Sequence, residues 1–171
     1  MADRALPCAL AGALALTACS HAGTVSGSQG SALAREGAVA PAWSEPSIPG
    51  PNLSSESLRG KALYLNFFAS WCPPCNSEAP AIDALARAYR ARGLQVVGVD
   101  VLENARKAGE FRQRHALSYP VVVDDGTLRD RYEINGLPVH VFVDRSGVVR
   151  KIVVGQLAPQ AMRADIERVL R

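Results

Sequence analysis

Two cysteines, Cys72 and Cys75, are separated by two prolines and come directly after the apolar run of residues 63–69. This order indicates a strand that turns into a helix. A thiolate at the start of a helix is stabilised by unpaired backbone N–H groups and by the helix dipole, so its pKa falls and it becomes a nucleophile. The first sulfur can then attack a substrate disulfide, and the second can resolve the mixed disulfide by closing a Cys72–Cys75 bridge. The spacing therefore predicts a redox site.

The first 18 residues have the composition of a targeting segment and are left out of the predicted fold. Residues 5–18 are almost entirely Ala and Leu, and a stretch of about 14 residues is shorter than the roughly 20 that a spanning helix needs. We therefore expect a signal peptide over residues 1–18. The small residues before Cys19 resemble the lipobox of bacterial lipoproteins, which implies that Cys19 is acylated and becomes the mature N-terminus. An ordinary cleaved signal peptide with a spare cysteine is the alternative.

Residues 19–51 are rich in Ser, Gly, Ala and Pro and show no hydrophobic period, so we predict a flexible tether. Trp43 and Ile48 are its best candidates for docking on the domain. The domain itself is predicted over residues 52–171, a length of about 120 residues that is adequate to bury an apolar core. Once Cys8 leaves with the signal peptide and Cys19 carries lipid, only the Cys72–Cys75 pair remains for chemistry.

The formal net charge is +3, and positive and negative residues are interspersed. This balance does not favour nucleic acid as a partner. Strand and helix patterns alternate from residue 53, which predicts an α/β fold with a mixed sheet. We expect helices at residues 76–92 (kinked at Pro80), 103–115 and 126–132, with a last helix beginning near Pro159. Strands are expected at residues 63–69, 94–101, 120–123, 139–143 and 148–154.

The order of strand, CxxC motif, helix, strand, helix, strand, Pro, hairpin and helix resembles the thioredoxin fold. The resemblance is closer to the membrane-anchored TlpA/ResA-like thiol–disulfide oxidoreductases. It rests on residues 66–75 with Glu78 and Pro80, on residues 136–138 and on residues 143–147, and it extends over nearly the whole predicted domain. The helix and strand between residues 101 and 132 resemble the insertion of that subfamily relative to plain thioredoxin.

The resemblance implies a role for each matching residue. Cys72 corresponds to the attacking cysteine and Cys75 to the resolving one. Pro138 corresponds to the cis-proline, whose peptide with Leu137 pairs with the backbone of a bound substrate. Glu78 corresponds to an acidic residue that tunes thiolate formation or relays a proton; a carboxylate that merely favours the helix dipole is the alternative.

Four further residues bear on the site. Trp71 is expected to shield the disulfide and to contact the substrate together with the Leu137–Pro138 peptide or, alternatively, only to pack at the helix start. Val139 and His140 stand where the family often has two threonines, which changes the expected substrate-contact surface. Asn66 replaces the buried aspartate of plain thioredoxins, so that Glu78 or water must accept the proton.

No cofactor and no metal is expected. A structural zinc site needs about four N or S ligands, and the sequence offers two thiols with no nearby His pair. None of the three histidines, His21, His115 and His140, is interpreted as a ligand. A Cu(I)-binding module remains as a non-enzymatic alternative because thiolates suit Cu(I), although no Met or His supports the motif. A peroxiredoxin is disfavoured because the thiols form an adjacent pair.

The residue before the second cysteine bears on redox direction. Strong oxidants and isomerases of this fold usually carry His there, whereas this chain has Pro74, as reductants do. The resemblance implies reduction of disulfides in exported proteins, often apocytochrome c, with electrons from a membrane donor. We expect a monomer that is lipid-anchored through Cys19 on the extracytoplasmic, periplasmic face. An oxidant of exported proteins is the alternative function.

Overall fold

The structure, a computed structural model, describes residues 33–171. Residues 1–32, with the predicted signal peptide and the predicted lipid site Cys19, lie outside the described residues. None of the helices in the described part has the length and apolarity required to span a membrane. The strands are β1 (Ser44–Glu45), β2 (Ser47–Ile48), β3 (Leu53–Ser54), β4 (Ala62–Phe68), β5 (Leu94–Asp100), β6 (Val121–Val123), β7 (Val139–Val143) and β8 (Val149–Val154). The helices are α1 (Pro73–Tyr89), α2 (Ala105–Arg114), α3 (Thr127–Arg131) and α4 (Pro159–Val169).

Six strands form one mixed sheet in the order β2-β6-β5-β4-β7-β8. Strands β4, β5 and β6 are parallel to one another, and β2, β7 and β8 pair antiparallel with their neighbours. The central strands β4, β5 and β7 are buried along nearly their whole length, as expected for strands covered on both faces. The predicted mixed sheet with flanking helices is confirmed.

Each face of the sheet has its own apolar core, because successive side chains of a strand point to opposite faces. Tyr64 and Phe68 of β4 belong to the first core, which also contains both cysteines and the inner faces of α1, α2 and α4. Leu65 and Phe67 belong to the second core, beneath α3 and the N-terminal segment. The redox motif therefore lies on the first face.

Part of the predicted tether is folded. Trp43 is 6% exposed and lies in the second core, while Ile48 pairs with Val121 at the edge of the sheet. Val39 forms an isolated bridge with Val148. The apolar side chains of this segment pack on the sheet and hold the segment in place. The folded unit therefore begins before residue 52, the predicted boundary.

Helix α1 begins at Pro73, three residues earlier than the sequence pattern places it, and runs unbroken through Pro80. Proline is favoured in the first turn because its missing N–H has no partner there in any case. Glu78 consequently lies in the second turn. The other predicted helices and strands agree with the structure to within two residues.

Candidate active site

The two cysteines lie where β4 ends and α1 begins. Cys72 is the N-cap of α1, and its sulfur accepts a hydrogen bond from the backbone N–H of Cys75, at 3.3 Å. A disulfide joins the two residues, whose Cα atoms are 5.3 Å apart. When the bond is reduced, this N–H and the helix dipole both favour negative charge on the Cys72 sulfur. The geometry makes Cys72 the better nucleophile of the pair.

An apolar cavity of about 270 Å³ is lined in part by Cys72. Trp71 borders it and is 63% exposed, although Cys72 and Cys75 are both buried. The other apolar side chains of the lining are Pro73, Pro74, Val101, Leu102, Ile134 and Leu137. This surface can receive an apolar segment of another molecule next to the disulfide.

The Leu137–Pro138 peptide bond is cis. It immediately precedes β7, whose first residue, Val139, pairs with Phe67 of β4. The cis peptide and the CxxC motif therefore lie at the same end of the sheet. The carbonyl of Pro138 accepts a hydrogen bond from the backbone N–H of Gly155, at 2.8 Å.

Two polar side chains hold the loop that carries Trp71. The Glu103 carboxylate accepts hydrogen bonds from the hydroxyl of Ser70, at 2.7 Å, and from its backbone N–H. The amide of Asn76 donates to the carbonyls of Ser70 and Cys72, at 3.0 and 2.8 Å. The loop before the motif is thus fixed from both sides.

Asn76 is in turn held by His115, at the end of α2. With the Asn76 amide nitrogen occupied as a donor, its oxygen accepts from His115 Nε2, at 3.0 Å. Because Asn76 and His115 are far apart in sequence, periodicity does not relate them. The sequence analysis attached no role to either residue.

Glu78 is buried, with 4% of its surface exposed. Its Oε1 accepts a hydrogen bond from the backbone N–H of Leu157. Its Oε2 has no hydrogen-bond partner among residues 33–171 and lies 3.5 Å from Nε2 of His140. Burial raises the pKa of Glu78, and the Leu157 bond opposes this only in part. Such a carboxyl can exchange a proton at a higher pH than a surface glutamate.

His140 lies fully buried on the same face of the sheet as the cysteines. Its Nδ1 is 2.8 Å from the hydroxyl of Tyr64 and 3.4 Å from the amide of Asn66, and its Nε2 is 3.2 Å from the carbonyl of Gly155. Burial lowers the pKa of His140 to about 4, against a smaller opposing effect of the Gly155 bond. The ring is therefore neutral at physiological pH. The sequence places His140 two residues after the predicted cis-proline but does not predict its contacts with Tyr64, Gly155 and Glu78.

A second buried carboxyl, Asp100, ends β5 opposite Phe68. It is fully buried, and neither of its oxygens has a hydrogen-bond partner among the described residues. Burial, with the nearby charge of Glu103, raises the pKa of Asp100 to about 8. The group is therefore protonated at neutral pH.

Among the described residues, one group of three side chains lies close enough together to hold a metal ion. It consists of Glu45, Asp124 and Asp125 and contains neither cysteine. Both oxygens of Asp124 already accept backbone N–H groups, from Leu128 and Arg129.

The structure brings most of the predicted site residues to one end of the sheet. Trp71, Cys72 and Leu137 border one cavity, and Pro138 follows Leu137 with a cis bond. Cys75 and Glu78 lie three residues apart on α1, which places their side chains on the same face of the helix.

Comparison with known proteins agrees with this geometry. The profile of the AhpC/TSA family matches residues 37–152. The thiol-disulfide oxidoreductase ResA of Halalkalibacterium halodurans is 30% identical over 138 residues, covering 80% of this chain and 78% of that protein. ResA of Geobacillus kaustophilus is 30% identical over 135 residues, covering 78% and 75% of the two chains. A crystal structure of a thiol:disulfide interchange protein of the thioredoxin family from Chlorobium tepidum TLS matches with a TM-score of 0.74 and 30% identity, covering 80% of this chain and 99% of that one.

The matched region begins ahead of residue 52 and so includes part of the docked N-terminal segment. The thioredoxin-like fold, the paired cysteines and the names of these relatives all point to the same class of enzyme. The chain belongs to the AhpC/TSA family, as a ResA-like thiol–disulfide oxidoreductase of thioredoxin fold.

Proposed function

We propose that this enzyme reduces disulfides in exported proteins on the extracytoplasmic side of a membrane. The observation that carries the proposal is the placement of Cys72, which caps α1, accepts the Cys75 N–H and borders an open apolar cavity. Pro74 precedes the resolving cysteine, so no histidine at that position stabilises the thiolate further. A thiolate without that extra stabilisation favours the disulfide form of the enzyme, which is the property of a reductant.

The reaction transfers two electrons from the dithiol to the client. The Cys72 thiolate attacks one sulfur of the client disulfide, forms a mixed disulfide and releases the other client sulfur as a thiolate. Cys75 then loses its proton and attacks the Cys72 sulfur, which breaks the mixed disulfide. The products are the Cys72–Cys75 disulfide and a client dithiol, and a membrane electron donor of the disulfide-reductase type must return two electrons to the enzyme.

Glu78 is the proposed acceptor of the Cys75 proton. Its side chain lies on the same face of α1 as Cys75, and its Oε2 has no hydrogen bond to another described residue. The raised pKa caused by burial brings the carboxyl closer to the pKa of a thiol, which favours proton transfer between the two groups. Asn66, at the position of the thioredoxin aspartate, has no proton to exchange.

The client would be an extended, partly apolar segment that carries a disulfide. Trp71 and Leu137 border the apolar cavity beside Cys72, and the cis peptide at Pro138 would pair with the client backbone. Apocytochrome c before haem attachment is the client class that the family resemblance suggests.

Anchoring through a lipid on Cys19 completes the proposal. A lipid on the N-terminal segment would keep the enzyme near its electron donor. Cys19→Ser should abolish incorporation of labelled palmitate and release the enzyme from the membrane fraction. Retention of the label in Cys19→Ser would contradict the anchor.

The reduction potential of the full chain, equilibrated with glutathione and dithiothreitol couples, tests the direction of the reaction. We expect a value near or below that of thioredoxin, roughly −270 mV. A value near that of the strong oxidants, roughly −120 mV, would reverse the direction and favour disulfide donation. Stoichiometric Cu(I) uptake without disulfide turnover would instead favour the metal-binding alternative.

A further inference from the structure

We propose that His140 is a positioning residue for Glu78, whose Oε2 it supplies with a hydrogen-bond donor when that carboxyl is ionised. The inference rests on the proposed role of Glu78 as the acceptor of the Cys75 proton. It assigns a task to a residue for which the sequence pattern suggests only burial along a strand.

The geometry of the pair leaves His140 as the partner for the second carboxylate oxygen. Oε1 of Glu78 is already bonded to the Leu157 N–H, and Oε2 is buried without a hydrogen bond from any residue in the range 33–171. Nε2 of His140 lies 3.5 Å from Oε2. A small movement of either side chain brings the two atoms to hydrogen-bond distance.

The neighbours of the ring determine which nitrogen carries the hydrogen. The carbonyl of Gly155, 3.2 Å from Nε2, can only accept, so Nε2 is the donor. Nδ1 is then the acceptor, and the Tyr64 hydroxyl at 2.8 Å donates to it. The imidazole therefore presents an N–H between two oxygens, the Gly155 carbonyl and the Glu78 carboxyl.

The titratable groups around the pair lie on three elements. Glu78 and Cys75 belong to α1, Tyr64 to β4 and Asp165 to α4, where Asp165 is 3.0 Å from Arg168. The charge of Tyr119 also contributes to raising the pKa of the Tyr64 hydroxyl. Burial keeps the His140 ring neutral at physiological pH and drives the pKa of the Tyr64 hydroxyl upward. In the pair of His140 and Glu78, the charge that changes is therefore that of the carboxyl.

One short loop links this pair to the client-binding end of the sheet. Gly155 donates its N–H to the Pro138 carbonyl and offers its own carbonyl to His140, and Leu157 binds Glu78. Because the loop bonds all three residues, it fixes the carboxyl, the imidazole and the cis peptide relative to one another. The same loop thereby positions the groups proposed for proton transfer and the peptide proposed for client binding.

The consequence concerns the second half of the reaction. Before Cys75 can attack the mixed disulfide, its thiol proton must pass to an ionised Glu78. The N–H of His140 stabilises that ionised form, so its loss should raise the pKa of Glu78 and slow resolution near neutral pH. Cys72, which attacks first, should be affected much less.

The test is His140→Phe, which keeps an aromatic ring in the buried space and removes both nitrogens. We expect the pH midpoint for resolution of a preformed mixed disulfide to rise by about one unit, so that the rate at a pH below the wild-type midpoint falls by a factor of about ten. Resolution is followed in single turnover by quenched-flow mass analysis. A stable His140→Phe enzyme with the pH midpoint of the wild type would overturn the proposal.

A double variant separates positioning from general packing. If His140 acts through Glu78, His140→Phe combined with Glu78→Gln should shift the profile no further than Glu78→Gln alone. Additive shifts would overturn the proposal. Phe142→Leu is the matched control, because it disturbs the same face of β7 and the ring stacked on Tyr64 without touching Glu78. It should lower stability and leave the pH midpoint unchanged; an equal shift in Phe142→Leu would show that packing alone accounts for the effect.

Tyr64→Phe is a milder variant that keeps the test decisive if His140→Phe does not fold. It removes the donor to Nδ1 and frees the ring to change tautomer, so a smaller shift in the same direction is expected. An unchanged pH midpoint in Tyr64→Phe would contradict the assigned tautomer.

If Glu78→Gln itself leaves the pH profile of the wild type unchanged, the proposed function of Glu78 fails instead. The failure of the role of His140 and the failure of the role of Glu78 are thereby distinguished.

Discussion

The backbone N–H of Cys75 points at the sulfur of Cys72, with 3.3 Å between nitrogen and sulfur. Cys72 is the N-cap of α1, so this bond occupies the place that an N-cap hydroxyl or carboxylate oxygen usually takes. The two cysteines are therefore not equivalent. The bond and the helix dipole both stabilise charge on the Cys72 sulfur, whereas Cys75 lies inside the first turn.

This asymmetry predicts opposite behaviour of the two serine variants. Cys72→Ser should abolish disulfide exchange, because the remaining thiol lacks this stabilisation. Cys75→Ser should accumulate the mixed disulfide between Cys72 and a client, because the resolving thiol is missing. Mass analysis after incubation with a disulfide-containing peptide measures both outcomes. Trapping by Cys72→Ser would reverse the assignment of the attacking and resolving residues.

The buried carboxyl of Glu78 predicts a pH effect on the reaction. Below the pKa of Glu78 the carboxyl is protonated and cannot accept the Cys75 proton, so the rate should rise as the pH passes through that pKa. Burial places this rise above the ordinary glutamate value of 4.5. Glu78→Gln should remove this limb of the pH profile of resolution. Glu56→Gln, which changes an exposed glutamate, is the control and should behave as the wild type; an unchanged profile in Glu78→Gln would favour a structural role.

The buried carboxyl of Asp100, whose oxygens have no hydrogen-bond partner among residues 33–171, predicts that the free energy of unfolding falls as the pH rises. Its pKa is raised from 3.8 to about 8, so between these values the folded protein holds a proton that the unfolded chain releases, and unfolding becomes progressively easier. At about 1.4 kcal/mol per pKa unit, Asp100→Asn should raise the free energy of unfolding by about 2 to 5 kcal/mol at pH 8 and by little at pH 4.

Urea titrations at several pH values measure this effect of Asp100→Asn. Asp130→Asn, which changes an exposed carboxylate paired with Arg129, serves as the control and should leave the pH dependence intact. A stabilisation by Asp100→Asn that is equal at pH 4 and pH 8 would argue against a buried proton on Asp100.

The docked N-terminal segment predicts that the folded unit needs residues ahead of 52. A chain of residues 52–171 loses β2 from the sheet edge and uncovers the core surface that Trp43 covers. Removal of a buried tryptophan alone costs about 3 to 5 kcal/mol, and we expect a chain of residues 52–171 to be less stable than one of residues 33–171 by at least that amount. Thermal and urea unfolding of the two chains measures the difference. Equal stability would mean that the segment lies on the surface without energetic consequence.

Local sequence patterns were sufficient for much of the fold. The CxxC motif after an apolar run identified the turn from β4 into α1, and the near-continuous β-branched run identified β5 as a strand buried on both faces. These features are local, because propensity, periodicity and turn chemistry act over a few residues. The start of α1 was placed three residues late because the apolar stripe begins after the two prolines that open the helix.

The composition of residues 19–51 predicts a tether, and its two candidates for docking, Trp43 and Ile48, do lie against the domain. Their docking depends on an open edge at β6 and on an uncovered part of the second core. Neither of these is visible in the local composition, because both arise from how distant strands are ordered in the sheet.

The polar surroundings of the disulfide depended on tertiary structure in the same way. The sequence pattern predicts only that His140 is a buried residue of a strand. The strand register pairs it with Asn66 and so brings its ring into contact with Tyr64 and within 3.5 Å of Glu78. The residue types and spacing of the motif by themselves determined that the protein carries a redox-active dithiol. Which groups surround that dithiol was decided by strand register and helix placement, because hydrogen bonds between residues distant in sequence exist only once the sheet has formed.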